Sequence, residues 1–299
     1  MKLVTHYDLD GVVCAILLHS FIPNLSIVST GYNRLNDIAD EEIFNNKALI
    51  ITDLALDKHH VNNLFLSNNK ILWIDHHESS LPYKDLSNDR VKIYINPKFC
   101  GAGNILKYFK DKQKFSEPLK TLTYLTNDYD MWQLKEVESR ILNYIFWERK
   151  FNAFYKLFAN GYDKSIVESF RPAYERKQNE IKRYLDSCDK YEFDSEGNKI
   201  LLIFASKDVN DVTLTLPNYD YYFIVSDTHK ISIRSKENDI STNLMTFEGQ
   251  EFVESVGCHK LAGGINIRTA IKDSDELFDI YQKIIEGVIV NTQENKNEQ

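Results

Sequence analysis

Acidic and imidazole side chains recur directly behind short apolar runs. His6-Tyr7-Asp8-Leu9-Asp10-Gly11 follows Leu3-Val4-Thr5, Asp53 follows Ala48-Leu49-Ile50-Ile51-Thr52, and Asp75-His76-His77 follows Lys70-Ile71-Leu72-Trp73-Ile74. Asn127-Asp128-Tyr129-Asp130 comes after Thr121-Leu122-Thr123-Tyr124-Leu125-Thr126. A β-prone run that ends in Asp or His places those groups at the carboxyl end of a buried strand, where open α/β sheets hold ligands. Taken singly, each has an ordinary structural use: Asp8 or Asp10 as a helix N-cap, one of Asp128 and Asp130 as a turn residue. Taken together, parallel strands would gather His6, Asp8, Asp10, Asp53, Asp75, His76, His77 and Asp128 on one sheet edge. So many negative charges cannot all stay ionised at close range without cations, and divalent metal ions are the economical answer. Mixed His and carboxylate donors with no Cys favour Mn²⁺ or a related first-row ion. A shared carboxylate could hold two ions about 3.5–4 Å apart, acidify a water between them and stabilise both the attacking and the leaving oxygen at phosphorus.

The elements that must position these residues follow from periodicity. Gly11 marks a tight strand-to-helix turn before the apolar run 12–18, with His6, Asp8 and Asp10 alternating along the loop. Further strands are expected at 27–30, 48–52, 70–74 and 91–95, the last closed by Asn96-Pro97. Asp57, His59 and His60 open an amphipathic helix and are read as capping or solvated residues. Gly101-Ala102-Gly103 opens a helix over 104–112; a glycine-rich start of this kind can hold an anion, though the signal is weak. The pattern is helical over 137–162, and 171–186 reads as a charged helix connecting two domains. A different rhythm follows, with strands at 200–204, 221–225, 230–234 and 265–268, a hairpin turn at Ser226-Asp227-Thr228-His229, and a terminal helix at 274–290. The polar tail 291–299 is expected to be disordered. The resulting division is 1–165, a helical linker 166–190, a second domain 191–290 and the tail 291–299.

The chain of 299 residues is 43% hydrophobic and 27% charged, enough for more than one core. A formal net charge of -8 argues against a protein that grips long duplex nucleic acid by its overall field. Cys14, Cys100, Cys188 and Cys258 show no C-x-x-C pair, so neither a disulfide framework nor a thiolate zinc site is expected. The N-terminus turns polar too early for a signal peptide, and no apolar run approaches the ~20 residues of a membrane span. The expectation is a soluble cytoplasmic protein, with self-association left open.

On these residues the sequence resembles the DHH phosphoesterase superfamily, in its DHH and DHHA1 branch of oligoribonuclease-like and 3′-phosphoadenosine 5′-phosphate phosphatase-like enzymes. His6-x-Asp8-x-Asp10-Gly11 is similar to the first motif, Asp53 to the second, Asp75-His76-His77 to the third and Asp128 to the fourth. Gly257-Cys258-His259-Lys260-Leu261-Ala262-Gly263-Gly264 is similar to the Gly-Gly-His-x-x-Ala-Ala-Gly signature of the second domain, with Cys258 in place of a Gly and Gly263 in place of an Ala. The resemblance implies a doubly wound parallel-sheet α/β domain and a smaller mixed α/β domain separated by a cleft. It also implies two divalent metal ions: His6, Asp8 and Asp53 for one, Asp10, Asp53, His76 and Asp128 for the other, with Asp53 bridging; Asp130 falls outside the matched position and is kept as a further candidate ligand. Asp75 would orient its neighbours and His77 would face the phosphate. His259, Arg234, Ser235 and the amides around Gly257 and Gly263 would bind the substrate's terminal phosphate. The implied reaction is hydrolysis of short oligoribonucleotides or linear dinucleotides to mononucleotides. Alternatives are phosphomonoester hydrolysis of the bisphosphate, a single-strand exonuclease, and a non-catalytic nucleotide-binding protein.

Overall fold

A computed structural model describes residues 1–31, 40–45, 47–206, 212–216, 218–226, 229–259, 261–268, 271 and 274–297. The chain divides into two compact units, Met1–Tyr174 and Glu175–Gln299.

The first unit is built on a five-stranded parallel sheet ordered β2-β1-β3-β4-β5. Its strands are β1 (Lys2–His6), β2 (Ser26–Thr30), β3 (Ala48–Thr52), β4 (Lys70–Asp75) and β5 (Val91–Ile95). Alternate residues serve opposite faces. Leu3, Ile50 and Ile74 pack into one apolar core, whereas Val4, Leu49, Ile51, Ile71 and Trp73 pack into another. Apolar side chains on both faces mean helices on both faces, the doubly wound arrangement. One core takes in α1 (Leu9–His19), α3 (Gly101–Phe109), α4 (Glu117–Asp130) and α5 (Val137–Leu157); the other takes in α2 (Lys58–Leu66). The order runs outward in opposite directions from the gap between β1 and β3, the switch point at which such sheets bind ligands.

Three expectations are corrected here. The run 121–126 is not a strand but lies within α4, because Leu119, Leu122 and Leu125 repeat with helical spacing and Pro118 stands in its first turn. Thr123 and Thr126 satisfy their hydroxyls on the carbonyls of Leu119 and Leu122, one turn earlier. Asp10 lies inside the first turn of α1, not in the preceding loop. The helical stretch after 137 ends at Leu157 and is interrupted at Lys150, whose φ of 64° breaks the helix.

In the second unit a six-stranded mixed sheet is ordered β10-β11-β9-β8-β7-β6. It comprises β6 (Asp189–Ser195), β7 (Asn198–Phe204), β8 (Tyr221–Ser226), β9 (Lys230–Ser235), β10 (Val253–His259) and β11 (Ala262–Ile267). Among the described residues of this unit only β7 and β8 pair in parallel. Hairpin pairing of β8 with β9 is present, while turn residues 227–228 lie outside the described residues. Helix α6 (Lys164–Ser187) contains the divide between the units, α7 (Ser241–Met245) packs beside β10, and α8 (Ser274–Asn297) closes the chain. Helix α8, with its buried Ile280, Ile284 and Val288, runs to Asn297 and so takes in residues 291–297 of the expected tail, while 298–299 lie outside the described residues. Among the described residues no helix is long and apolar enough to cross a membrane.

Candidate metal centre

The carboxyl ends of β1, β3 and β4 meet at the switch point and are tied together just beneath it. Thr52 donates its hydroxyl to that of Thr5 (2.9 Å), which in turn donates to the carbonyl of Gly11 (3.2 Å). A side chain at Gly11 would place Cβ 2.0 Å from the carbonyl oxygen of His6, so only glycine lets α1 start this close to β1. Asp8 does two things. As N-cap of α1 it accepts the amide of Gly11 (2.8 Å), and its other oxygen lies 2.8 Å from His6 Nδ1. The N-cap use of Asp8 thus leaves one oxygen beside the His6 imidazole.

Asp53 leaves β3 in the left-handed conformation, φ 56°, a strained state that Asp tolerates better than most residues. Its Oδ1 lies 3.1 Å from His76 Nε2, and its buried Oδ2 accepts no hydrogen bond. At the end of β4 Asp75 and His76 are buried, while His77 is less so. Asp75 takes His77 Nδ1 on one oxygen (2.8 Å) and the Ser80 hydroxyl on the other (2.5 Å), which fixes the imidazole's orientation.

The glycine-rich helix start does hold an anion, and that anion is Asp10. The amides of Gly101 and Ala102 donate to its two oxygens at 2.6 and 2.9 Å. A Cβ on Gly101 would come within 2.8 Å of Asp10 Oδ2 and 3.0 Å of the Asp53 Cβ. Cys100 caps the same helix, its Sγ accepting the amide of Gly103 at 3.4 Å.

Donor atoms from His6, Asp8 and Asp53 lie within 4.8 Å of one another, as do those of Asp53, Asp75, His76 and His77, and those of Asp10, Cys100 and Asp130. Asp128 is the correction. Its carboxylate is spent on the amides of Lys135 (3.0 Å) and Glu136 (3.1 Å) and the hydroxyl of Ser139 (2.7 Å), so it anchors the start of α5. Asp130 lies 3.6 Å from His76 Nε2, with a buried Oδ2 that accepts no hydrogen bond. Helical phase was the available signal: Asp130 stands four and seven residues after the buried Thr126 and Thr123 and so continues their face, whereas Asp128 falls on the opposite side of the helix from Leu119. Sequence reasoning also missed Cys100 and Ser80, whose proximity to these groups depends on elements distant in the chain.

Electrostatics marks the cluster as short of positive charge. Burial, then the nearby Asp8, Asp10 and Asp130, push Asp53 well above the usual carboxylate range. Burial and Asp130 push Asp10 to about 7, and burial and Asp8 push Asp130 to about 7. For Asp8 and Asp75, burial is outweighed by His6 and His77 respectively, and both fall below the usual range. Burial likewise opposes charge on His6 and His77, yet Asp8 and Asp75 leave both imidazoles raised. Burial and the neighbouring His77 lower His76 to about 4. Buried carboxylate oxygens of Asp53 and Asp130 that accept no hydrogen bond, beside a His76 held neutral, fit cations: a bound ion would supply the missing charge and return the raised carboxyls to their ionised state.

In the second unit Arg234 is buried on β9, its Nη1 donating to the carbonyls of Ile233 (2.8 Å) and Gly263 (3.1 Å). Ser235 is buried and its hydroxyl accepts the amide of Asn238. Gly257 and Gly263 lie on the paired strands β10 and β11, and the backbone of His259 pairs with Ala262; the His259 side chain lies outside the described residues. The glycine signature is thus mostly strand, not turn. Gly263 has a steric reason, since a Cβ there would sit 2.4 Å from Leu244 Cδ1, whereas Gly257 faces open space.

The pairing of a doubly wound 2-1-3-4-5 sheet with a mixed second sheet is the fold expected from the DHH and DHHA1 resemblance, and it is the fold of solved structures to which this chain is similar. No protein-family model matches the chain, and no curated protein matches it. PggH of Vibrio cholerae, a pGpG-specific phosphodiesterase, superposes with a TM-score of 0.57 at 16% identity, over 96% of this chain and 99% of that one. An exopolyphosphatase-related protein of Bacteroides fragilis gives 0.56 at 14% identity, over 95% and 91%. RecJ of Thermus thermophilus in complex with Mn²⁺ gives 0.57 at 13% identity; 98% of this chain matches 52% of RecJ, so the chain spans about half that protein's length.

Proposed function

We propose that this chain is a metal-dependent phosphodiesterase that hydrolyses linear dinucleotides and short oligoribonucleotides to mononucleotides. One observation carries the reading: His6, Asp8, Asp10, Asp53, His76 and Asp130 converge at the sheet's switch point with buried carboxylate oxygens that accept no hydrogen bond. His6, Asp8 and Asp53 would hold one divalent ion and Asp10, Asp53, His76 and Asp130 a second, Asp53 belonging to both sets. Mn²⁺ suits these donors, and RecJ, which shares the fold, is a Mn²⁺ complex. When bound, such ions neutralise phosphoryl oxygens and make water a stronger acid.

The protein's own groups do the rest. Asp75, braced by Ser80, holds His77 through Nδ1 and leaves Nε2 as the atom that gives a proton to the leaving oxygen. Arg234, Ser235, His259 and the strands carrying Gly257 and Gly263 receive the terminal phosphate of the substrate. The phosphodiesterase of the same fold that acts on pGpG supports a linear dinucleotide as substrate class.

The test is an assay of Mn²⁺-loaded protein against a labelled linear dinucleotide, a pentanucleotide, a cyclic dinucleotide and 3′-phosphoadenosine 5′-phosphate. Release of mononucleotides from the dinucleotide, abolished by Asp53→Ala, is the expected result. Turnover of the bisphosphate alone would overturn the diesterase reading in favour of a monoesterase.

A further inference from the structure

We propose that Cys100 is a thiolate ligand to the ion held by Asp10 and Asp130, which gives this centre a soft donor and a preference for thiophilic divalent ions such as Zn²⁺ or Co²⁺ over Mg²⁺. The inference rests on the metal-centre reading above and adds a donor to it. Cys100 is fully buried, and its Sγ lies within 4.8 Å of carboxylate oxygens from both Asp10 and Asp130. Sulfur and oxygen donors bind such ions at about 2.3 and 2.0–2.2 Å, so three atoms grouped this closely can close on one ion with small side-chain adjustments.

The neighbours point the same way. Asp10 is itself buried and pinned by the amides of Gly101 and Ala102, so it cannot swing aside. Asp130 Oδ2 is buried and accepts no hydrogen bond. The Cys100 sulfur receives the Gly103 amide at the start of α3, while burial and the nearby Asp10 and Asp130 keep it a thiol until an ion supplies the opposing charge. As an ion binds, the thiol releases its proton to solvent and the sulfur lone pair fills a coordination position. Soft sulfur beside two carboxylates selects thiophilic ions, whereas an all-oxygen and imidazole set does not. Cys14 serves as the internal control: it is equally buried, but it does not join that donor group.

The experiment loads the full-length protein with Co²⁺ and records its electronic spectrum. A near-ultraviolet sulfur-to-cobalt charge-transfer band is expected in the wild type and in Cys14→Ser, and its loss is expected in Cys100→Ser and in Asp130→Asn, with the visible cobalt bands of the remaining site kept. Cys100→Ser should also weaken Zn²⁺ binding roughly tenfold or more while Mg²⁺ binding stays nearly unchanged. Should Cys100→Ser fail to fold, the band in wild type, retained in Cys14→Ser and lost in Asp130→Asn, still decides the matter. Visible cobalt bands without the charge-transfer band would overturn the thiolate ligand and leave the metal centre standing. Absence of any Co²⁺ binding would overturn both.

Discussion

Asp128 and Asp130 are two residues apart on one helix, and the proposed metal centre asks opposite things of them. Asp128→Ala removes the acceptor for Lys135 N, Glu136 N and Ser139 Oγ at a position only 2% exposed. A lost hydrogen bond to a buried charged acceptor costs on the order of 1–3 kcal/mol when its donor stays buried. Here two of the donors are amides at the start of a helix that water can partly serve, so roughly 3 kcal/mol in total is the working figure. In a unit of this size that lowers the melting midpoint by roughly 6–12 °C. Asp130→Asn is different: it removes a charge that the cluster already disfavours and keeps the side-chain volume. Calorimetric melting in chelator, paired with isothermal titration by Mn²⁺, separates the two. Asp128→Ala should melt early and still take up Mn²⁺ with wild-type stoichiometry. Asp130→Asn should melt at or above the wild-type midpoint and lose an ion. If Asp128→Ala lost an ion with its midpoint unchanged, the assignment of ligand and helix anchor would be reversed and the reasoning refuted.

Three further outcomes follow from the same geometry. Gly101→Ala drives a Cβ into Asp10 and Asp53, so Mn²⁺ affinity should fall roughly tenfold or more by titration; wild-type affinity would show that Asp10 can move. Ser80→Ala loosens Asp75 and through it His77, and kcat for the dinucleotide should drop roughly tenfold with KM changed less, an effect absent if His77 takes no part. Metal-stripped protein should lose stability as pH rises from about 4 to about 7, measured by chemical denaturation. Asp10 and Asp130, pushed to about 7, and Asp53, pushed well above the usual range, keep protons in the folded state that the unfolded chain releases near pH 4. His76, lowered to about 4, acts in the opposite sense over that window, but as one group against three. Saturating Mn²⁺ should remove the slope, and a stripped protein that gains stability over the window would contradict the charge balance described.

The sequence alone determined the strands at 48–52 and 91–95, because apolar periodicity reports directly which residues a single element buries. It also determined the requirement for Gly11 and the recurrence of Asp and His at strand ends, both of which are local to a turn. Other features were decided only in three dimensions. The segment around Gly257 reads as a glycine turn until β11 and β9 supply its partners. The choice between Asp128 and Asp130 turned on Ser139 and the start of α5, and the place of Cys100 turned on α3 meeting α1. A pattern along the chain specifies a face, whereas a ligand set is a matter of distance between elements that the chain connects only through a folded core.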